Sequence, residues 1–252
     1  MDKRIALIIG ATGTLGKAIT NNLISKNIQL ILVAKNADRL EKLYNDIKNK
    51  ALLSPKIIPL DLNHSRSIDK LGGIIFEKYK KLDLLINCAS FYPKLSPINH
   101  ILPKEFYKVI NINIVANWQL IRAFDPLLRF SEYGRAYFFI CKQKVYNDPY
   151  FSSYALSSHA IESLINSWHK ETTKTNIKVS TYDPGPINSA LRRSAFPGEN
   201  KKISYEFLNE AIIELRKIGI NIHRTISNKS TRKKFNYKKY YNKELIEMVK
   251  HK

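Results

Sequence analysis

Apolar runs of strand length alternate along this chain with longer stretches whose apolar residues recur at helical spacing. The runs fall at about 5–10 (IALIIG), 29–34 (QLILVA), 56–61 (KIIPLD), 82–89 (LDLLINCA), 135–141 (RAYFFIC) and 178–184 (KVSTYDP). Helical patterns lie between them at 15–25, 37–50, 65–80, 103–129 and 152–173. In the last, Ile161, Leu164, Ile165 and Trp168 recur at i, i+3, i+4 and i+7, a stripe that faces a core rather than a site. Near-continuous apolar strands separated by helices predict an α/β fold, a doubly wound parallel sheet in three α/β/α layers.

No Pro/Gly/Ser-rich linker and no internal repeat divides the 252 residues, so 1–252 is expected to be a single domain. The pattern weakens after Gly198. FLNEAIIELRKIGI has a helical period, then basic polar sequence precedes KELIEMVK, which makes about 200–252 a divergent basic C-terminal segment.

Composition changes this picture little, and charge changes it more. The apolar share of 44% suits a buried parallel sheet, and no stretch approaches the roughly 18 apolar residues of a membrane span. Cys88 and Cys141 are too few to staple such a domain and fit a reducing compartment, so a cytoplasmic protein is expected. The net charge of +21 would attract phosphate-bearing ligands or nucleic acid. Basic and aromatic residues interleave from Lys229 to Lys243 (KSTRKKFNYKKYYNK), as on surfaces where bases stack and phosphates pair, although a solvated tail accounts for the same residues.

The chemistry begins at the first strand–turn–helix, IALIIG-ATGTLG-KAITNNLI. Gly10, Gly13 and Gly16, with Thr12 and Leu15 between them, let the backbone turn tightly against a pyrophosphate while the new helix aims its free amides at it. A phosphate-binding P-loop is excluded because Gly16-Lys17 is followed by Ala18, where that motif needs Ser or Thr. A nicotinamide dinucleotide on a Rossmann-type fold is therefore expected. NAD-specific sites place Asp or Glu at the end of the second strand to bind the ribose 2′-hydroxyl. This chain has Ala34-Lys35-Asn36 there, so Lys35, helped by Arg39, favours NADP over NAD through its 2′-phosphate.

Over residues 4 to 200 the chain resembles the short-chain dehydrogenase/reductase family. GATGTLG is similar to its first turn, with Thr14 where a glycine is usual. The resemblance gives Asp61 and Leu62 an adenine-contacting role after strand three. It matches Asn87-Cys88-Ala89-Ser90 to the N-N-A-G segment, of which Asn87 and Ala89 are kept, and Asn113 to the active-site Asn. Pro184-Gly185-Pro186-Ile187-Asn188-Ser189 resembles the segment that packs on the nicotinamide, assigning Pro184, Gly185 and Ile187 to the cofactor.

The likeness breaks at the catalytic group. The family uses a Ser to hold the carbonyl, a Tyr as acid/base, and a Lys four residues on that binds ribose and lowers the Tyr pKa. Here Tyr154 is kept, Ser158 replaces the Lys, and Cys141 stands thirteen residues before Tyr154, where the Ser is expected. A tyrosine titrates near pH 10, so without a neighbouring cation it is a proton donor at neutral pH and not a base. His159 lies about 140° around the helix from Tyr154, against about 40° for Ser158, and does not replace the Lys. Lys142 and Lys144 are longer-armed candidates.

The expected function is an NADP-dependent short-chain oxidoreductase of an unidentified small-molecule carbonyl or alcohol. Its chemistry would be weakened, with Tyr154, Asn113 and Cys141 as catalytic residues. Two other classes stay open: a catalytically inactive dinucleotide-binding sensor or partner subunit, and nucleic-acid binding through the basic C-terminal segment. The resemblance allows a homodimer or homotetramer, but the residues after 200 do not match the family's terminal strand.

Overall fold

The computed structural model describes residues 3–140, 148–184 and 187–195. The first half holds β1 (Arg4–Ile9), α1 (Thr14–Leu23), β2 (Ile28–Ala34), α2 (Ala37–Ile47), β3 (Lys56–Pro59) and α3 (Ser65–Tyr79). The second holds β4 (Leu84–Asn87), α4 (Pro103–Ile110), α5 (Ala116–Arg129), β5 (Arg135–Phe139), α6 (Ser152–Glu171), β6 (Lys178–Tyr182) and a short α7 (Ala190–Ala195). The strands pair in parallel in the order β3-β2-β1-β4-β5-β6. The order reverses between β1 and β4, and the crevice outside the carboxyl ends of those two strands is where a ligand binds in this fold.

Alternation along each strand feeds two cores. Ile5, Leu7 and Ile9 of β1 join Ile68, Leu71, Leu120, Phe124 and the α6 residues Ile161, Ile165 and Trp168 on one face. Ala6 and Ile8 join Leu15, Ile19, Leu40 and Leu43 of α1 and α2 on the other. Each of these large apolar side chains contributes about 1.5–3 kcal/mol on burial. The α6 stripe faces the core as its spacing predicts, except that Leu164 is only half-buried. No described helix is long and apolar enough to cross a membrane.

All six expected strands form, but β3, β4, β5 and β6 each end two residues before their apolar runs, and at β3 and β4 side chains account for it. At each of these two ends a side chain takes over a backbone partner. Asp61 Oδ1 accepts from the Asn63 amide at 3.0 Å, and Asn87 Oδ1 accepts from the Ala89 amide at 3.0 Å, turning the chain out of the sheet. The expected helix 103–129 is interrupted by a π turn at Asn111–Val115, which shifts the faces of α4 and α5 relative to one another. Asn113 lies in that turn.

Candidate active site

The turn after β1 is shaped by what its glycines must clear. Gly10 has φ +78°, and a Cβ there would meet Ala89 N at 2.7 Å, so the turn lies directly against the end of β4. A Cβ on Gly16 would collide with the Gly10 and Ala11 backbone, locking α1 onto the turn. Gly13 differs. It is exposed, it is the N-cap of α1 with φ −73°, and a Cβ there would touch only Gly10 O at 3.3 Å. The first-turn amides of a helix have no partner within it, so this end of α1 offers donors on an open cradle. Thr12 is half-buried at the rim and Leu15 is buried beneath it. The cradle suits a pyrophosphate.

The ends of β2 and β3 bring Lys35 and Asp61 together, with Nζ 2.7 Å from Oδ2. Lys35 is 69% exposed, so it is free to reach a ligand at the price of a weak surface ion pair. Burial alone would push the Asp61 carboxyl up; the hydrogen bond and charge of Lys35 and the Asn63 amide outweigh it and hold Asp61 below the ordinary carboxylate range. Asn36, next to Lys35, caps α2 by accepting from the Arg39 amide at 2.8 Å. Leu62 packs against the core beside this pair.

At the end of β4 a chain of amides crosses the site. Asn87 Nδ2 donates to Asn117 Oδ1 at 2.5 Å, and Asn117 Nδ2 donates to the Asn113 carbonyl at 2.7 Å. Asn113 in turn clamps Phe91, donating to its carbonyl at 2.7 Å and accepting from its amide at 2.8 Å; its other N–H reaches Ser157 Oγ at 3.2 Å. The chain joins β4, the π turn, the segment after β4 and α6. Both Asn113 side-chain donors are used on protein.

Tyr154, half-buried near the start of α6, stacks on Tyr92 with ring centroids 3.8 Å apart, and Phe151 meets it edge-on at 6.2 Å. Leu95 and Ala195 complete this small apolar cluster. Ser158 is 2% exposed and its hydroxyl finds no hydrogen-bond partner among the described residues. His159 is exposed on another face of α6. Cys88 is half-buried against the core, and desolvation pushes its thiol above the ordinary value. Among the described residues no group of His, Cys, Asp or Glu gathers to hold a metal.

Ala89 packs on the core at the foot of the glycine turn, while Pro184 and Ile187 lie half-buried beyond β6, Ile187 against the opposite core. Cys141, Lys142, Lys144, Gly185 and the basic segment 229–243 lie outside the described residues.

The short chain dehydrogenase family model matches residues 4–200. The chain belongs to the short-chain dehydrogenase family. Among curated relatives it is 26% identical over 202 residues to a "Dehydrogenase/reductase SDR family protein 7-like" of Anopheles gambiae, covering 79% of this chain and 63% of that one. It superposes with a TM-score of 0.78 on a short chain dehydrogenase from Pseudomonas syringae, 24% identical, over 86% of this chain and 92% of that one. A short chain dehydrogenase from Shigella flexneri complexed with NADP gives a TM-score of 0.77 at 24% identity, over 86% and 92%.

As a short-chain dehydrogenase this chain gathers Asn87, Asn113 and the helix bearing Tyr154 into one network. Sequence reasoning missed three members of that corner. Asn117 carries a signal, being a buried amide one helical turn after Asn113. Ser157 was passed over for its neighbour at 158. Tyr92 has none, since its stack on Tyr154 depends on how the segment after β4 folds back.

Proposed function

We propose that this short-chain dehydrogenase reduces a small or medium carbonyl compound at the expense of NADPH, slowly. The observation that carries the reading is Tyr154, a phenol fixed between Tyr92 and Phe151 on the helix that the Asn113–Ser157 bond ties to the end of β4. When bound, NADPH supplies a hydride to the carbonyl carbon. Tyr154 Oη donates its proton to the carbonyl oxygen, which becomes the alcohol. A protonated phenol can give a proton to a carbonyl oxygen at neutral pH, whereas taking one from an alcohol needs the phenolate. With Ser158 in place of a cation, reduction is favoured over oxidation.

The turn Gly10–Gly16 with Thr12 and Leu15 would hold the pyrophosphate, Asp61 and Leu62 the adenine, and Asn87, Ala89, Pro184, Gly185 and Ile187 the nicotinamide half. Lys35 supports NADP. No acid stands at the end of β2 to repel a 2′-phosphate, and the Shigella flexneri neighbour was crystallised with NADP. Cys141 is the group assigned to orient the carbonyl, and a thiol does so less firmly than a hydroxyl. The two-cysteine composition supports a cytoplasmic site of action.

NADPH oxidation against a panel of aldehydes and ketones tests the reading, with Tyr154→Phe as control. Turnover in the wild type that the control lacks supports it. Equal inactivity with NADPH still bound refutes it. Ser158, buried and without a hydrogen-bond partner among the described residues where the family has its Lys, favours a second reading, a dinucleotide-binding subunit without turnover. Activity that appears only in Ser158→Lys would support that one.

A further inference from the structure

Next to the Tyr154 cluster lies a cavity of about 460 Å³, within the range of small-molecule sites. One wall is Pro97, Ile98 and Asn99 of the segment after β4, two residues beyond the Leu95 that packs with Tyr154 and Phe151. The other is Asp148, Pro149 and Ser152 at the entry to α6, two residues before Tyr154. Both walls are thus continuous in sequence with residues that pack around Tyr154.

Three features set this wall apart from ordinary surface. Tyr150, which also lines it, has φ +75°, a left-handed backbone that a bulky residue adopts only when the surroundings force it. The Ser152 hydroxyl is buried and unpartnered among the described residues, and such a group is costly unless something completes it. Asp148 contributes a carboxylate that makes no ion pair among the described residues, although Lys and Arg outnumber Asp and Glu 42 to 21 over the chain. No described Lys or Arg lines the cavity. Among the described lining residues the one charged side chain has the sign opposite to the protein's net charge.

We propose that this cavity receives the part of the substrate remote from the reacting carbonyl and selects for an ammonium-type cation, which Asp148 pairs while Ser152 donates to a neighbouring acceptor. This rests on the carbonyl-reductase reading and narrows it to amino- or ammonium-bearing carbonyl compounds. The apolar lining from Pro97, Ile98 and Pro149 accepts the carbon frame between the two polar ends. Carboxylate and phosphate substrates are disfavoured here, in spite of the net charge of +21.

Two benzaldehydes of the same frame and opposite charge provide the test: 4-(trimethylammonio)benzaldehyde and 4-carboxybenzaldehyde. Binding to the full-length protein loaded with NADP⁺ is measured by calorimetry, and turnover is measured with NADPH. The wild type binds the cation about fivefold more tightly, as expected of a solvent-accessible ion pair. Asp148→Asn brings the ratio close to one and Asp148→Lys inverts it. Equal binding of the two aldehydes by the wild type, or a preference retained in Asp148→Asn, overturns the proposal. So does an Asp148→Asn variant that melts earlier but keeps the ratio, because the carboxylate then only complements the positive end of α6. Preference without turnover upholds the cavity and refutes the reductase reading. Turnover without preference does the reverse.

Discussion

The Tyr92 ring lies on the Tyr154 ring with centroids 3.8 Å apart, 31° from parallel. With a serine at 158 no long side chain at that position reaches across to steady the phenol, and the stack helps to hold it. An aromatic pair of this kind is worth about 0.5–1.5 kcal/mol beyond its buried area, close to a factor of ten in rate if it serves to orient the proton donor. Tyr92→Ala is expected to lower kcat roughly tenfold while the KM for NADPH stays unchanged. Tyr92→Phe, which keeps the ring, is expected to retain activity. A KM change without a kcat change would make Tyr92 a binding residue instead.

Asn117 supports the site from beneath. Removing its side chain leaves the Asn87 amide without the acceptor it now holds at 2.5 Å and frees the Asn113 carbonyl from its 2.7 Å bond. Leaving buried groups unpaired costs about 1–3 kcal/mol. Asn117→Ala is therefore expected to lower the unfolding free energy by that amount, read as a lower urea midpoint at unchanged m-value. A double-mutant cycle with Asn87→Ala is expected to show strong coupling, because the first substitution already removes what the second would break.

Two neighbouring serines on α6 should respond in opposite directions. Ser158 is buried with a hydroxyl unpaired among the described residues, so Ser158→Ala, which removes that group and improves helix propensity, is expected to stabilise the protein by about 1 kcal/mol. Ser157 accepts from Asn113 and donates to the Tyr154 carbonyl at 3.1 Å, and Ser157→Ala is expected to destabilise by a similar amount. Thermal melts of the two variants check the sign.

How much of this was legible beforehand differs by level. The alternation of six- to eight-residue apolar runs with helical patterns predicted all six strands and their parallel sheet, because burial on both faces leaves such a sheet little else to be made of, but it did not give their spatial order. Strand ends were misplaced because Asp61 and Asn87 terminate β3 and β4 through side-chain bonds that hydropathy does not register. Asn87, Asn113 and Tyr154 could be found by their spacing to recognisable segments. The π turn at Asn111–Val115 could not, since one extra backbone residue per turn leaves no trace in FYKVININIVA. Tyr92 and the Asp148 cavity depend on how two segments outside the sheet fold over its edge, and no periodicity governs those.

Lys35 and Asp61 make stability depend on pH. Because the native Asp61 carboxyl lies below its ordinary range, its contribution is present above the unfolded value, about pH 4, and is lost as pH falls through the native one. Lys35 is well exposed, so solvent screening limits the effect to at most about 1 kcal/mol. The stability difference between wild type and Asp61→Asn is expected at pH 6, to shrink below pH 4 and to shrink with added salt. A difference that grows on acidification would reverse the assignment.

The two glycines at the mouth of the turn separate folding from cofactor binding. Gly10→Ala places a Cβ 2.7 Å from the Ala89 amide nitrogen on a backbone at φ +78°. The conformation alone costs about 1–3 kcal/mol, and a backbone neighbour cannot move aside as a flexible side chain would, so loss of soluble protein or a large drop in melting temperature is expected. Gly13→Ala meets only Gly10 O, at 3.3 Å, on a backbone that any residue adopts, and its methyl projects into the open cradle at the end of α1. It is expected to fold within about 1 kcal/mol of wild type and to bind NADPH at least tenfold more weakly, by displacing the pyrophosphate from the helix amides. Calorimetric titration with NADPH beside a thermal melt distinguishes the pair. Equal NADPH affinity in Gly13→Ala and wild type would mean that the pyrophosphate does not rest on this end of α1.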